Sequence, residues 1–101
     1  MEKITIEDIK RAQETIKDIV KKTDILESAK LSALTNANIY YKCENLQKTG
    51  SFKVRGACNK IANLTQEEKA NGVIASSAGN HAQGVALGAK MNNIEATIVM
   101  P

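Results

Sequence analysis

Aromatic and metal-binding side chains are scarce in this sequence. Aromatic residues make up 3% of the 101 residues, and there are two cysteines and one histidine. Surfaces that bind nucleic acid combine basic patches with stacking aromatic rings, so this composition argues against a nucleic-acid partner. Cys43, Cys58 and His81 are too few to form a zinc site, and the cysteines lack C-x-x-C spacing. We therefore expect no metal ion and two buried, reduced thiols.

Long apolar runs are also missing. No stretch approaches the length that crosses a bilayer, and the first ten residues lack the apolar core of a signal peptide. The hydrophobic fraction of 43%, the charged fraction of 25% and the net charge of +3 are ordinary for a soluble protein. The sequence thus predicts a cytoplasmic protein without a membrane partner.

The first half of the chain contains two helix signals and one strand signal. Apolar residues recur at helical spacing over positions 6–20, and Thr5 with Asp8 forms a weak capping box at the start of that helix. Residues 39–43 are rich in β-forming side chains and few in number, which predicts a strand. Ser51 then offers an N-cap to a second helix.

The second half alternates between strands and helices. Thr65 and Glu68 predict a capping box for a brief helix to about position 70, and Gly72 follows as a stop signal. The later elements are a strand over residues 73–75, a helix carrying apolar positions from 82 to 89, and a strand over residues 96–100. Strand, helix and strand in this order form a β-α-β unit, which belongs to a parallel sheet and is almost always right-handed. The predicted fold class is α/β.

Lys53 differs from the other lysines by its position. It lies in the first turn of the helix predicted after Ser51, where backbone N–H groups carry partial positive charge, and Arg55 follows two residues later. Both features disfavour the ammonium form, and a neutral amine is what imine formation requires. An arbitrary lysine at such a place is more often a solvated side chain, so the motif around it has to decide.

The polar loop over residues 76–80 is the second candidate. Its backbone N–H groups point along the dipole of the following helix and would suit a carboxylate or phosphate. It matches neither G-x-G-x-x-G nor a P-loop, so a nucleotide is not its obvious ligand. We interpret His81 as structural rather than catalytic. Gly84 and Gly88 have G-x-x-x-G spacing, which here predicts close packing of the helix against the sheet.

Residues 48–57 and residues 77–84 together closely resemble two motifs of the threonine dehydratases, which are pyridoxal-phosphate enzymes of fold type II. Their order and separation match as well, and a weaker resemblance extends through the amino-terminal helix. The resemblance implies pyridoxal 5'-phosphate as cofactor and an amino acid as substrate. It also implies a homo-oligomer, a dimer or a tetramer, and catabolic members bind AMP at a subunit interface near the positions of Lys48, Thr49 and Gln83.

The same resemblance assigns roles to individual residues. Lys53 would be the Schiff-base lysine, which the substrate displaces and which then removes the α-proton. Phe52 would pack beside the cofactor, and Asn80 would hydrogen-bond its ring hydroxyl. The substrate carboxylate would be bound by the hydroxyl of one residue and by a run of loop amides, namely Ser77 with Ala78, Gly79, Asn80 and His81. Loss of the β-hydroxyl would then give 2-oxobutanoate and ammonia from threonine, or pyruvate from serine.

Three departures from related patterns refine the prediction. Family members usually read Thr-Pro-Leu where this chain has Thr23-Asp24-Ile25. Serine racemases carry a second serine at the position of Ala78, and its absence here favours elimination over racemisation. Cysteine synthases follow their lysine with Asp-Arg, which Val54 does not match.

The family's glycine-rich phosphate loop and its contact to the pyridine nitrogen come from later sequence. We therefore expect these 101 residues to be the amino-terminal part of a longer catalytic domain. Residues 1–52 would contribute to its larger subdomain and residues 53–101 would begin the smaller one. A lone parallel strand pair leaves faces and edges uncovered, which agrees with that expectation. The 101 residues alone are expected to be inactive.

Two other functions remain open at this point. The first is a serine racemase or serine dehydratase of the same family, which differs in substrate preference and product chirality. The second is a non-catalytic module whose β-α-β unit binds an anion or a partner chain, with Lys53 incidental. Isoleucine biosynthesis and threonine catabolism are both compatible with the leading interpretation.

Overall fold

The amino-terminal helix is shorter than the apolar spacing of the sequence predicts. In the computed structural model, which describes residues 2–101, helix α1 spans Ile6–Ile16. Its predicted capping box is confirmed, because the carboxylate of Asp8 accepts the N–H of Thr5 at 2.7 Å. After Ile16 the chain continues as a turn, in which the N–H of Val20 still donates to the carbonyl of Ile16 at 3.0 Å. The apolar residues of this turn still pack on the core, which explains why their spacing looked helical up to position 20.

The next segment contains two elements that the sequence did not predict. Strand β1 (Ile25–Glu27) pairs antiparallel with β2 (Tyr40–Lys42), and helix α2 (Ala29–Thr35) connects them. The hydroxyl of Ser28 caps α2 by accepting the N–H of Leu31 at 3.3 Å. All residues of both strands are exposed, so β1 lacks the alternation that would have marked it. The strand predicted at residues 39–43 is confirmed in a shorter form.

The predicted β-α-β unit is confirmed. Helix α3 (Lys53–Ala62) and helix α4 (Gln66–Asn71) precede it, and β3 (Val73–Ser76), α5 (Asn80–Met91) and β4 (Ala96–Val99) form it. The two strands run parallel, with Val73 opposite Ala96 and Ser76 opposite Val99. Thr65 and Glu68 make the expected capping box on α4.

The core lies where α3 and α5 pack against each other and against one face of the β3–β4 pair. The buried apolar side chains come from these two helices, apart from one on α1: Ile16, Val54, Ala57, Cys58, Ile61, Val85 and Ala89. The opposite face of the strand pair stays open, and Ile74 on that face is 73% exposed. Within residues 2–101 no helix is both long and apolar enough to span a bilayer.

The cysteines differ in burial. Cys58 is fully buried in the core, and desolvation raises the pKa of its thiol. Cys43 is only partly buried, so the prediction of two buried thiols is right for one of them. Both are free thiols.

Candidate active site

Lys53 follows a strained turn that is tied down by a buried glutamine. Gln47 is 4% exposed, and its side-chain oxygen accepts the N–H groups of Lys21 and Lys48, both at 2.9 Å. The two residues of the turn after Lys48 have positive φ, 64° at Thr49 and 74° at Gly50. A β-branched residue rarely adopts this backbone region, and such strain persists only where the surroundings enforce it. The chain direction into α3 is therefore fixed by tertiary contacts.

Lys53 is the first residue of α3. Phe52, the residue before it, already has helical backbone angles (φ −68°, ψ −13°) and makes no side-chain cap. Ser51 is extended (φ −157°, ψ 166°) and its hydroxyl accepts the N–H of Lys53 at 3.3 Å, so it caps the helix start as predicted. The side chains of Phe52 and Lys53 are both exposed, and the Lys53 amine lies 5.7 Å from the centre of the Phe52 ring. The residue predicted to react thus projects from a helix start beside an open aromatic face.

Helices α3 and α5 run in the same direction and touch backbone to backbone. A Cβ built on Gly84 would lie 3.1 Å from the carbonyl oxygen of Lys53, and one on Gly88 would lie 3.3 Å from the Cα of Cys58. Gly88 lies about one turn after Gly84, and its contact at Cys58 likewise lies further along α3 than Lys53. The two helices are therefore parallel. Close packing at these glycines was predicted, but the predicted partner was wrong: they pack on α3 and not on the sheet.

The parallel arrangement brings the two sequence motifs to one end of the molecule. Gly84, level with Lys53, lies four residues after the start of α5 at Asn80, so the start of α5 reaches roughly 6 Å beyond Lys53. Helical side chains lean toward the amino end of their helix. The Lys53 side chain therefore leans toward the level at which the loop between β3 and α5 lies.

The loop between β3 and α5 leaves several N–H groups free to bind a ligand. Gly79 is the N-cap of α5 and has no side-chain cap, and its own N–H donates to the hydroxyl of Ser77 at 3.2 Å. Among the hydrogen bonds of residues 2–101, the N–H groups of Asn80, His81 and Ala82 have no acceptor. The N–H of Ser77 is used by the sheet, where it donates to Val99 at 3.0 Å.

These contacts divide the predicted loop residues into two groups. Ala78, Gly79, Asn80 and His81 are exposed, as a ligand-binding loop requires, and Ser77 is partly buried. Because Ser77 accepts from Gly79, its hydroxyl hydrogen remains available for a ligand, whereas the Gly79 N–H is already engaged. The side chain of His81 lines a separate groove of about 330 Å³ with Lys60 and Ile74. The structural interpretation of the imidazole stays a prediction.

Arg55 does not act on Lys53 as the sequence suggested. Its Nε and Nη2 atoms donate to the two carboxylate oxygens of Glu44, the latter at 3.0 Å, so its charge is compensated by a pair. These hydrogen bonds, with a further one from Thr23, lower the pKa of Glu44 from its ordinary value of 4.5 to about 2. No role was predicted for Glu44, Gln47 or Thr23. The available signal was a carboxylate placed eleven residues before an arginine in one polar segment.

The pKa of Glu44 predicts how stability depends on pH. A depressed folded-state pKa adds stability that is complete above the unfolded value of 4.5 and disappears as pH falls toward about 2. We expect Glu44→Gln to remove this contribution. The free energy of unfolding, measured with urea, should then fall less between about pH 6 and about pH 3 in the variant than in the unsubstituted protein. Equal acid sensitivity of the two proteins would contradict the assignment.

The residues around Lys53 fit pyridoxal phosphate. The group carries an aldehyde, a flat aromatic ring and a phenolic oxygen, and its amino-acid substrate carries a carboxylate. This end of the molecule offers an exposed amine on Lys53, a Phe52 ring that is 60% exposed, the Asn80 amide and the free N–H groups at the start of α5. The aldehyde, the ring, the phenolic oxygen and the substrate carboxylate thus each have a matching group.

Comparison with known proteins decides the family. A sequence profile described as "Pyridoxal-phosphate dependent enzyme" matches residues 16–101. The chain belongs to the pyridoxal-phosphate-dependent enzyme family. The predicted family, α/β fold class and cofactor are therefore confirmed.

Individual members of the pyridoxal-phosphate-dependent enzyme family are similar over almost all of the chain. An L-threonine ammonia-lyase of Thermotoga maritima is 62% identical over 98 residues, which is 97% of this chain and 24% of that protein. The solved structure of a serine racemase from Dictyostelium discoideum has a TM-score of 0.91 and 43% identity, and covers 97% of this chain and 32% of its own. A structure of the processed form of threonine deaminase isoform 2 from Solanum lycopersicum has a TM-score of 0.78 and 40% identity. The match covers 97% of this chain and 30% of that one. The chain spans about a quarter to a third of the length of these relatives.

Proposed function

We propose that the whole protein carrying this sequence is a pyridoxal-phosphate-dependent ammonia-lyase. It would convert L-threonine to 2-oxobutanoate and ammonia, and L-serine to pyruvate and ammonia. The observation that carries the proposal is the parallel packing of α3 and α5, which brings Lys53 and an uncapped helix start to the same end of the molecule. The 62% identity to an L-threonine ammonia-lyase supports the substrate.

In this proposal the described residues bind the substrate and move one proton. The free N–H groups of Asn80 and His81 and the hydroxyl of Ser77 bind the substrate carboxylate, assisted by the partial positive charge of the helix start. The side chain of Asn80 would donate to the phenolic oxygen of the ring, and Phe52 would pack beside it. When bound, the cofactor supplies a ring that delocalises the negative charge left at the substrate Cα.

Lys53 has two functions in this proposal. Its amine would hold the cofactor, and the same amine, when it is not engaged with the cofactor, would accept the α-proton of the substrate. The lean of its side chain toward the loop keeps it on the side of the bound carboxylate. The β-hydroxyl would leave as water, taking up the proton that Lys53 accepted, and water would then hydrolyse the released product to the oxo acid and ammonia.

Ala78 favours elimination over racemisation. Racemisation needs a second acid or base on the face of the substrate opposite Lys53, and a methyl group at position 78 can neither give nor take a proton. The serine racemase structure is nevertheless similar to the chain, so a racemase or serine dehydratase is the second candidate. A third candidate is a non-catalytic module in which the same loop binds an anion.

We further propose the wider setting of the enzyme. The whole protein would be a cytoplasmic homo-oligomer, a dimer or tetramer, that acts in threonine catabolism or isoleucine biosynthesis. Residues 1–52 would contribute to a larger subdomain and residues 53–101 would begin a smaller one. The 101 residues alone would be inactive, because the phosphate of the cofactor has no evident binding loop within residues 2–101.

One experiment separates the three candidates. The whole protein is incubated with pyridoxal phosphate and L-threonine or L-serine, and oxo acid, ammonia and D-serine are measured. In parallel, borohydride reduction followed by mass mapping identifies the lysine that holds the cofactor. We expect equal amounts of 2-oxobutanoate and ammonia, with the adduct on Lys53. D-serine as the main product would favour a racemase, and the absence of any Lys53 adduct would favour the non-catalytic module.

A further inference from the structure

The carboxylate of Glu44 joins three segments of the chain beneath the start of α3. It accepts a hydrogen bond from the hydroxyl of Thr23 at 2.6 Å and two from Arg55, and its side chain is only 16% exposed. Thr23 itself is buried at 8% exposure. Both oxygens of Glu44 are thus occupied within the described residues.

The carbonyl of Lys21 is the second common point of this network. It accepts from Gln47 at 2.8 Å and from Nη2 of Arg55 at 3.4 Å. Gln47 precedes Lys53 by six residues and Arg55 follows it by two. The backbone that carries Lys53 is therefore attached to residues 21–23 on both sides.

The Lys53 side chain makes few contacts that would fix its own direction. Its amine is exposed, the nearby Phe52 ring is also exposed, and its N–H makes a long bond of 3.3 Å to Ser51. The direction of the side chain is therefore set by the path of the backbone. Residues two apart on a helix point roughly 200° apart around its axis, so Arg55 holds the helix from the side opposite Lys53.

We propose that Glu44 is a positioning residue, which through Arg55 and Thr23 fixes the backbone that aims the Lys53 amine. The inference rests on the proposed function of Lys53. A partly buried ion pair is a weak source of stability, because desolvation offsets much of its attraction, but a two-pronged pair restricts geometry strongly. This combination suits a group that sets direction.

The test uses the whole protein with the substitutions Glu44→Gln and Arg55→Lys, separately and together. Glu68→Gln is the matched control, because it also removes a carboxylate that accepts hydrogen bonds but lies on α4. Hydrogen exchange of residues 47–55 is measured without cofactor, and Lys53 capture of pyridoxal phosphate, kcat and KM for threonine, and Tm are measured as well.

In both single variants we expect faster hydrogen exchange over residues 47–55. The rate at which Lys53 captures pyridoxal phosphate and kcat should both be roughly tenfold lower, with KM little changed. The double variant should be no worse than the poorer single one, because both act through one pair. Glu68→Gln should leave exchange over residues 47–55 and kcat unchanged. Normal exchange in Glu44→Gln, or faster exchange with normal capture, would overturn the inference. The inference would also be overturned if kcat fell in Glu68→Gln as much as in the Glu44 and Arg55 variants for the same loss of Tm. Absence of a Lys53 adduct in the unsubstituted protein would instead refute the proposed function, and the inference with it.

Discussion

Lys53→Ala is expected to reduce threonine turnover by the whole protein by roughly 10³-fold or more, since one change removes both the group that holds the cofactor and the base. The fold should be preserved, because the Lys53 side chain is exposed and Val54 next to it supplies the buried contact. Turnover is followed as 2-oxobutanoate release from threonine. Borohydride reduction should yield no adduct at position 53.

Lys90→Ala is the control for this substitution. Lys90 is also an exposed helical lysine, but it lies in the last turn of α5, at the end opposite the site. Its removal should leave turnover within about twofold, as is usual for surface substitutions away from special features. Undiminished turnover in Lys53→Ala would refute the proposed role. A similar loss in both variants would show that the effect is not specific to the site.

The local parts of the site could be predicted from sequence, because their signals lie within a few residues of one another. The capping boxes at Thr5 and Thr65 and the strand, loop and helix around Ser77 are all patterns of this kind. The position of Lys53 at a helix start, with Ser51 as its cap, belongs here too. What such patterns predict is each element and the chemistry at its ends.

The relations between the elements could not be predicted in the same way. Arg55 was interpreted through its sequence neighbour Lys53, whereas in the fold it pairs with Glu44, a contact that depends on how the chain turns between them. Gly84 and Gly88 indicated close packing but not its partner. The three-residue strand β1 is exposed throughout, so burial left no periodic mark on its sequence. In each case the missing information is tertiary.

Gly84→Val is expected to destabilise the fold strongly. A Cβ at position 84 already falls 3.1 Å from the Lys53 carbonyl oxygen and 3.2 Å from the Val54 nitrogen, and these backbone atoms cannot rotate away. Valine adds two further carbons, so α5 must move off α3 at the level of Lys53. We expect destabilisation of about 3 kcal/mol, measured as the shift of the urea midpoint at constant slope.

The smaller change Gly84→Ala tests whether this contact sets the site geometry as well as the stability. Alanine gains about 0.5–1 kcal/mol of helix propensity, which offsets part of its clash, so this variant should fold. A displacement of about 1 Å at a reacting group is enough to cost roughly 10²-fold in rate. We therefore expect kcat for threonine to fall about tenfold or more with a modest loss of stability.

Gly56→Ala provides the matched comparison on α3, because a Cβ there meets nothing within 4 Å. It should stabilise the protein by about 0.5–1 kcal/mol through helix propensity alone and leave kcat unchanged. Opposite signs for the two alanine substitutions would locate the effect in the contact between Gly84 and Lys53 and not in glycine as such. If Gly84→Ala were as stabilising and as active as Gly56→Ala, the close approach of α5 to Lys53 would not be what holds the site together.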